Sequence, residues 1–218
     1  MLGRGGIGMI PVSCVSKGGK PSYGGSQMWY EDKILVNSGC GIIAGLDSLL
    51  HLQGMTEIDK DKYLQMMSDA SNYIRPIMLP FKIKPMTIAG GEFLGSFGLT
   101  MHRLKRGLRK LARSQGVECR VRSFRRDFVR KTRDVLSGDK PVIMLVRAPF
   151  ENVRLVSETP GYMDETIGQH FVTVTDYDAE KDMFVVSSWG RKYKIDIESL
   201  KKFSVAVSFC YIEDVNTL

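Results

Sequence analysis

A cysteine between two glycines is the residue of this chain best placed to do covalent chemistry. Gly39, Cys40 and Gly41 stand together just before a run of residues with helical periodicity. The free amides and partial positive charge at the start of a helix favour a thiolate, which is the form of cysteine that attacks carbonyl carbons. The two glycines leave room beside the sulfur for a substrate backbone. The alternative interpretation is a buried cysteine that only packs.

The neighbouring residues predict the elements that position Cys40. Residues 33–36 predict a short strand, and Asn37 or Ser38 supplies the cap of the helix that follows. Apolar residues recur at steps of three and four along that helix, at Ile43, Leu46 and Leu50. We expect the helix to end near residue 53, which puts Cys40 in its first turn.

A cysteine nucleophile needs a base, and the chain has three histidines that could supply it. His51 follows Cys40 on the same predicted helix and lies about 16 Å away along its axis, which is out of reach. His102 stands among arginines, where a solvated helix surface is expected. His170 opens a predicted strand after a loop, a common place for a catalytic base. We therefore predict His170 as the base, and the alternative is a strand histidine satisfied by a neighbour.

Length and composition bound the class of protein. The 218 residues are enough for one compact domain. No apolar run is long enough to cross a membrane, and the first residues lack the apolar core of a secretory signal, so we expect a cytoplasmic protein. The four cysteines show no paired spacing, so neither a zinc site nor a disulfide framework is expected. We predict no metal and no cofactor, and the oligomeric state stays open.

Helical periodicity dominates the first part of the chain and strand periodicity the last. This segregation predicts an α+β protein, with a helical half at about residues 28–137 and a mostly antiparallel sheet half at about 138–218. Residues 1–27 predict an extended N-terminal arm. The other predicted elements are a helix from residue 56 to before Pro76, a helix around 97–111, a strand at 117–121, a helix capped by Ser123 and ending near 136, a strand at 141–147, a loop at 148–168, strands at 170–177, 183–188, 192–195 and 205–212, and a short helix at 197–202.

Positive charge is concentrated in one stretch of the chain. The formal net charge is +7, from 31 Lys or Arg and 24 Asp or Glu. Residues 102–133 contain 13 of these bases and two of the acids, a local balance of +11 that leaves −4 for the remainder. Two basic amphipathic helices within residues 99–136 predict a surface for an acidic substrate or protein partner. Aromatic residues are too sparse there to favour nucleic acid, and a solvated helix face is the alternative.

Four short motifs occur along the chain: Gly39-Cys40-Gly41, Gly138-Asp139-Lys140-Pro141-Val142-Ile143, Gly168-Gln169-His170-Phe171-Val172-Thr173-Val174 and Val186-Ser187-Ser188-Trp189-Gly190. Together they resemble the papain-like cysteine peptidase superfamily, most of all the bacterial branch related to the double-glycine leader peptidases. The resemblance extends in outline from residue 29 to the C-terminus. It implies that residues 28–218 form a single papain-like domain.

The resemblance implies a role for each of several residues. In the family a nucleophilic cysteine is followed along the chain by a catalytic histidine and then, at a set distance, by Asn or Asp. The resemblance therefore assigns the nucleophile to Cys40 and the histidine to His170. The third position falls on Ser187, 17 residues after His170, with Ser188 as the neighbouring hydroxyl. A serine can hold the imidazole tautomer but adds no charge. Trp189 would shield the histidine from solvent.

The predicted oxyanion hole departs from the family, which has a Gln before the nucleophile. This chain has Ile34 at that position, six residues before Cys40. Asn37 or the backbone amide of Cys40 is left as the donor to an oxyanion.

The resemblance implies a cysteine-dependent hydrolase or acyltransferase. The bond attacked would be an amide, peptide or thioester, and the acyl acceptor would be water or an amine. The substrate would be a peptide or a small acyl compound, and it can be acidic. Two alternatives stay open. One is a catalytically weak or inactive papain-like fold, and the other is a binding module for an acidic protein partner or nucleic acid.

Overall fold

The structure, a computed structural model, shows a mixed α+β fold with helices on both faces of a large antiparallel sheet. It describes residues 10–17, 20–78, 86–88, 91–93, 98–202 and 204–215. The helices in the described residues are α1 (Lys33–Ser38), α2 (Cys40–Leu52), α3 (Lys60–Tyr73), α4 (Met101–Ser114), α5 (Phe128–Ser137) and α6 (Ile197–Lys201). None of them combines the length and hydropathy needed to cross a membrane.

Across the described residues, the strands form one large sheet and two small ones. They are β1 (Cys14–Lys17), β2 (Lys20–Tyr23), β3 (Glu57–Asp59), β4 (Met86–Ile88), β5 (Gly91–Phe93), β6 (Cys119–Phe124), β7 (Val142–Arg147), β8 (Val153–Ser157), β9 (Glu165–Ile167), β10 (Gln169–Asp178), β11 (Met183–Ser188), β12 (Arg191–Asp196) and β13 (Ala206–Asp214). The large sheet has the spatial order β6-β13-β7-β10-β11-β12-β8-β9, and all its neighbouring strands are antiparallel. The small sheets are β2-β1-β3 and β4-β5.

The large sheet is covered on both faces near its centre. Along β7, Ile143 and Leu145 pack on one face with residues of α2 and α4. Val142, Met144 and Val146 pack on the other face with residues of α5 and α6. Side chains alternate between the two faces of a strand, so a continuous apolar run is what a strand buried on both sides requires.

Helix α2 is buried on nearly every side and packs against both β10 and α4. Ten of its 13 residues are buried. A helix that is apolar all round is stable only inside a core. The burial of α2 therefore fixes the position of its first residue, Cys40, beside the sheet.

The described part of the N-terminal arm packs onto the rest of the protein. β1 and β2 form a hairpin, and β1 pairs in parallel with β3. The amide of Ile10 donates to the Thr175 carbonyl at 3.0 Å, and that of Tyr23 to the Gly190 carbonyl at 2.9 Å. Ile10 is buried in the core. Residues 1–9, 18 and 19 of the predicted arm lie outside the described residues.

The strand predicted at residues 33–36 is wrong, because these residues form α1. The carboxylate of Asp32 accepts a hydrogen bond from the amide two residues ahead, at 2.7 Å, and begins the helix. The predicted cap of α2 is wrong as well. Asn37 and Ser38 belong to α1, and Gly39 precedes α2 without a side-chain cap bond. Four residues are too few for periodicity to distinguish a short helix from a strand.

Three other predicted boundaries are corrected by the structure. Residues 57–59 form β3 rather than the start of a helix, and α3 begins only after Asp59. Ser123 lies in β6, and Asp127 precedes α5. The predicted loop at 148–168 contains β8 and β9. The short strands β3, β8 and β9 are stabilised by pairing with a neighbouring strand, and such pairing imposes little pattern on the local sequence. The predicted helices that correspond to α2, α4 and α6 and the predicted strands that correspond to β7, β10, β11, β12 and β13 are confirmed.

Candidate active site

Cys40 begins α2, as predicted, and its sulfur lies against β10. The chain turns at Gly39, which ends α1 and precedes α2. The thiol is within hydrogen-bond reach of the backbone amides of Phe171, Gly41 and Cys40 itself. Phe171 follows His170 directly in β10, so this contact brings the cysteine next to the residue predicted as its base.

Burial raises the pKa of the Cys40 thiol, which corrects the expectation that the helix start lowers it. Lost hydration has the largest effect, because it disfavours the charged thiolate. The three backbone amides act in the opposite direction without offsetting the loss. At neutral pH the sulfur is therefore a neutral thiol, held by amides that stabilise a thiolate once one forms.

A small cavity joins Cys40 and His170. Both residues line it, and its volume of about 10 Å³ is about what one water molecule needs. Other residues that line it are Gln27, Asp47, Ser187, Ser188 and Trp189. The predicted nucleophile, base, serines and tryptophan thus meet at one place, although they come from separate segments of the chain.

His170 is held by a hydroxyl group and an aromatic ring. Its Nε2 lies 2.7 Å from Oγ of Ser188, and its ring stacks on Trp189 with 4.4 Å between the ring centroids. The side chain is buried, and burial lowers the pKa of the imidazole to about 3. When the neutral ring donates from Nε2 to Ser188, its lone pair is on Nδ1, so Nδ1 is the atom available as a base.

The hydroxyl that contacts His170 belongs to Ser188, which corrects the role predicted for Ser187. The Ser187 hydroxyl donates instead to the Tyr23 carbonyl at 2.8 Å. The pairing of β10 with β11 shifts register by one residue between residues 174 and 176. Such a bulge adds a residue to one strand, so counting along the sequence selects the wrong serine.

Trp189 reaches His170 because of a tight turn between β11 and β12. Ser188 pairs with Arg191, which leaves Trp189 and Gly190 as a two-residue loop. Both have positive φ, at 51° and 74°, as in the type I′ turns that match the twist of a hairpin. Positive φ is strained for a residue with a side chain. The strain occurs where the indole covers the imidazole.

The two glycines that flank the cysteine make room for the protein itself, which corrects the interpretation that they make room for a substrate. A Cβ on Gly41 would lie 2.7 Å from a Leu99 methyl group and 3.0 Å from the ring of Phe171. A Cβ on Gly39 would lie 2.5 Å from the carbonyl oxygen of Leu35. Both glycines therefore allow close packing around the helix junction.

Gln27 lies in the cavity, and sequence reasoning missed it. Its Nε2 donates to the Val36 carbonyl at 2.6 Å, and the amide group has a second N–H to offer. It stands 13 residues before Cys40, and α1 occupies six of the residues between them. The position six residues before Cys40, which holds Ile34, lies within that helix. Asn37, the predicted oxyanion donor, is exposed and is not among the residues that line the cavity.

Asp47 is the second cavity residue that sequence reasoning missed. It follows Cys40 by seven residues on α2 and is 1% exposed. Its carboxyl accepts from the Tyr63 hydroxyl at 2.6 Å and from the Gly25 amide at 3.1 Å, and burial raises its pKa to about 7. It thereby attaches the segment that carries Gln27 to the helix that carries Cys40. The sequence signal available was a lone acid in an apolar helix.

The other two histidines lie away from the cavity. The ring nitrogens of His51 lie 3.1 and 2.9 Å from the carbonyl oxygens of Pro11 and Asp139. His102 is exposed at the start of α4. All four cysteines are free. In the part of the chain that the structure describes, no three His, Cys, Asp or Glu side chains are arranged to hold a metal ion.

We compared the sequence with protein-family models and with curated proteins. No protein-family model matches the chain, and a search of curated proteins finds no match. The chemistry of the site therefore has to be inferred from its geometry and from the short motifs.

Proposed function

We propose that the protein is a papain-like cysteine hydrolase or acyltransferase that acts on an amide, peptide or thioester carbonyl through Cys40 and His170. The observation that carries this proposal is that the two side chains line one small cavity, where the Ser188 hydroxyl lies 2.7 Å from Nε2 of the imidazole. Further support comes from the packing of Cys40 against the core cluster that contains Phe171, the residue after His170. A nucleophile, a base and a group that orients the base are the parts such a reaction needs.

In the proposed mechanism His170 acts first as a base. Nδ1 takes the proton of the Cys40 thiol, and the sulfur attacks the carbonyl carbon of the substrate. The carbonyl oxygen becomes an oxyanion, for which the backbone amide of Cys40 and the free N–H of Gln27 are the proposed donors. The imidazolium then returns its proton to the leaving amine or thiol, and an acyl group remains on the sulfur. Water or an amine then gives a proton to His170 and attacks the acyl carbon, the bond between that carbon and sulfur breaks, and the imidazolium returns the proton to the Cys40 sulfur.

The papain-like assignment is supported by the order and arrangement of the elements. The cysteine begins a buried helix, and the histidine and tryptophan come from an antiparallel sheet that packs against that helix. We extend the proposal to a cytoplasmic location, because four free cysteines suit a reducing compartment.

The site differs from a preformed thiolate–imidazolium pair. Burial raises the pKa of Cys40 and lowers that of His170, so both groups are neutral at pH 7. Proton transfer would therefore accompany attack on the substrate, when the amides near the sulfur begin to stabilise negative charge. The cavity is also small, and a substrate has to displace its contents or widen it.

The test is labelling with a short peptide vinyl sulfone at pH 7.5, followed by intact-protein mass spectrometry and peptide mapping. The wild type should gain one adduct, on Cys40, and Cys40→Ala should gain none. Cys119→Ala is the matched control, because Cys119 lies on β6 outside the cavity, and it should label like the wild type. Adducts on Cys14, Cys119 or Cys210 instead of Cys40 would show that the nucleophile is wrongly assigned.

Ser188→Ala should slow acylation of Cys40 by a peptide thioester about tenfold, the effect of losing one hydrogen bond that orients a group. The change removes the hydroxyl 2.7 Å from His170 Nε2 and so frees the ring to rotate or to change tautomer. Ser187→Ala is the matched change on the adjacent residue, and it should alter the rate less than twofold. Single-turnover kinetics followed by mass spectrometry measure both. Equal effects of the two changes would remove Ser188 from the proposed mechanism.

A second candidate function is a catalytically weak or inactive papain-like fold that binds an acidic protein partner. The observation that favours it is the neutral, closed state of the cysteine and histidine. The labelling experiment separates the two candidates, because an inactive fold would leave Cys40 unmodified by the vinyl sulfone and by thioesters.

A further inference from the structure

A second and much larger cavity lies where α4 begins and β6 ends. Its volume is about 420 Å³, which is within the range of small-molecule sites. Residues at the start of α4, the end of β6 and β13 line it, and none of them lines the cavity of Cys40 and His170.

The walls of this cavity carry positive charge and hydrogen-bond donors. Lys105, Arg125, His102 and Ser123 line it, and no carboxylate is among its lining residues. Lys105 is half-buried and donates to the Ser123 hydroxyl at 2.7 Å. Within the described residues, neither Lys105 nor Arg125 forms an ion pair with Asp or Glu. A partly buried ammonium group without a counter-charge is unfavourable, and a bound anion would relieve that cost.

The floor of the cavity is apolar and includes stacked aromatic rings. Met101 and Phe209 are buried beneath it, and Phe124 is half-buried. The rings of Phe124 and Phe209 stack with 5.2 Å between their centroids, and Phe209 stacks in the same way on Phe128. A stacked aromatic floor offers an apolar surface that costs little conformational entropy to present to a ligand.

The charge around the cavity favours an anion over other ligands. Residues 102–133, which include α4, β6 and the start of α5, have a local balance of +11. Clefts lined by one sign of charge concentrate the field and raise the local concentration of ligands of opposite sign.

We propose that this cavity is a binding site for a small organic anion. The phosphate or carboxylate of the ligand contacts Lys105 and Arg125, and its apolar part lies on Met101 and Phe124. This site goes beyond the proposed hydrolase or acyltransferase function, because it requires neither Cys40 nor His170.

Isothermal titration calorimetry at low ionic strength tests the site with three probes: phenyl phosphate, benzoate and inorganic phosphate. Phenyl phosphate or benzoate should bind saturably, with one molecule per chain, and the tighter of the two identifies the anionic group. Lys105→Gln and Arg125→Gln should each weaken that probe about tenfold. The matched controls Lys110→Gln and Arg126→Gln remove exposed charges that do not line the cavity, and they should change affinity less than twofold.

Several results would overturn the proposal. Absence of saturable binding by all three probes would mean that the cavity is not an anion site. Equal losses in Lys105→Gln and Lys110→Gln would mean diffuse attraction by the basic surface. Inorganic phosphate that binds as tightly as phenyl phosphate would remove the role of the apolar floor. Titration of Cys40→Ala distinguishes this site from the proposed active site, since that variant should bind the preferred probe like the wild type.

Discussion

His170→Gln should lower the rate constant for acylation of Cys40 by a peptide thioester about 10²–10⁴-fold, the usual contribution of a positioned base. The partly buried thiol has a raised pKa, so few molecules carry a thiolate at pH 7 unless His170 accepts the proton. Single-turnover kinetics of the acyl-enzyme, followed by mass spectrometry, measure the effect. His102→Gln is the matched control, because His102 is exposed on α4 and lies outside the cavity of Cys40, and its rate should equal that of the wild type.

The pH dependence of the same reaction provides an independent test of the buried base. An ordinary histidine loses its basic form below pH 6.5, whereas burial lowers the pKa of His170 to about 3. In Asp47→Asn, which lacks the cavity carboxyl whose pKa is about 7, the rate should therefore show no inflection near pH 6.5 and should persist into the acid range in which the protein remains folded. An inflection near pH 6.5 would mean that the histidine is solvated during the reaction or that another group is the base.

Asp47→Asn should change how stability depends on pH. Burial raises the pKa of the Asp47 carboxyl from 3.8 to about 7, so between these values the folded protein holds a proton that the unfolded chain releases. The contribution of Asp47 to the free energy of unfolding is therefore complete below pH 3.8 and is lost as pH rises to about 7. The steepest slope is about 1.4 kcal/mol per pH unit. Asparagine does not titrate, so the variant should lack this slope.

Urea unfolding of both proteins at pH 5, 6, 7 and 8 measures the difference. His170 affects the free energy of unfolding in the direction opposite to Asp47, because its lowered pKa removes stability as pH falls below 6.5. This contribution of His170 is present in both the wild type and the variant. Subtracting one protein from the other cancels that contribution. The stability of the wild type relative to Asp47→Asn should fall between pH 5 and 7 and then level off. Asp69→Asn, at an exposed position of α3, is the matched control for the loss of a carboxylate. A difference for Asp47→Asn that does not change with pH would mean that the Asp47 carboxyl is ionised in the folded protein.

The residues with the strongest local patterns were predicted correctly from the sequence. Apolar residues at helical spacing predicted α2, and a continuous apolar run predicted β7. The number of histidines, together with their surroundings, was enough to propose His170 as the base, and the structure places it in the lining of the same cavity as Cys40. These predictions succeeded because burial of a whole helix or strand imposes a pattern that is visible in a few consecutive residues.

The tertiary structure alone decided how the side chains of the site are arranged. The pairing of β10 with β11 places Ser188 rather than Ser187 at the imidazole of His170, and Gln27 lines the cavity although 13 residues separate it from Cys40. Neither the register of a strand pair nor the path of the chain through α1 is visible in a count of residues.

Burial also decided the electrostatics of the site. Helix position alone predicted a lowered pKa for Cys40, but lost hydration raises it, and the same effect lowers the pKa of His170 and raises that of Asp47. Hydration depends on every atom packed around a group, and those atoms come from distant parts of the chain. The sequence by itself thus determined the long buried helices and the central strands, and it identified which cysteine and histidine are candidates. Packing between distant segments determined which groups support that pair and which protonation states they hold.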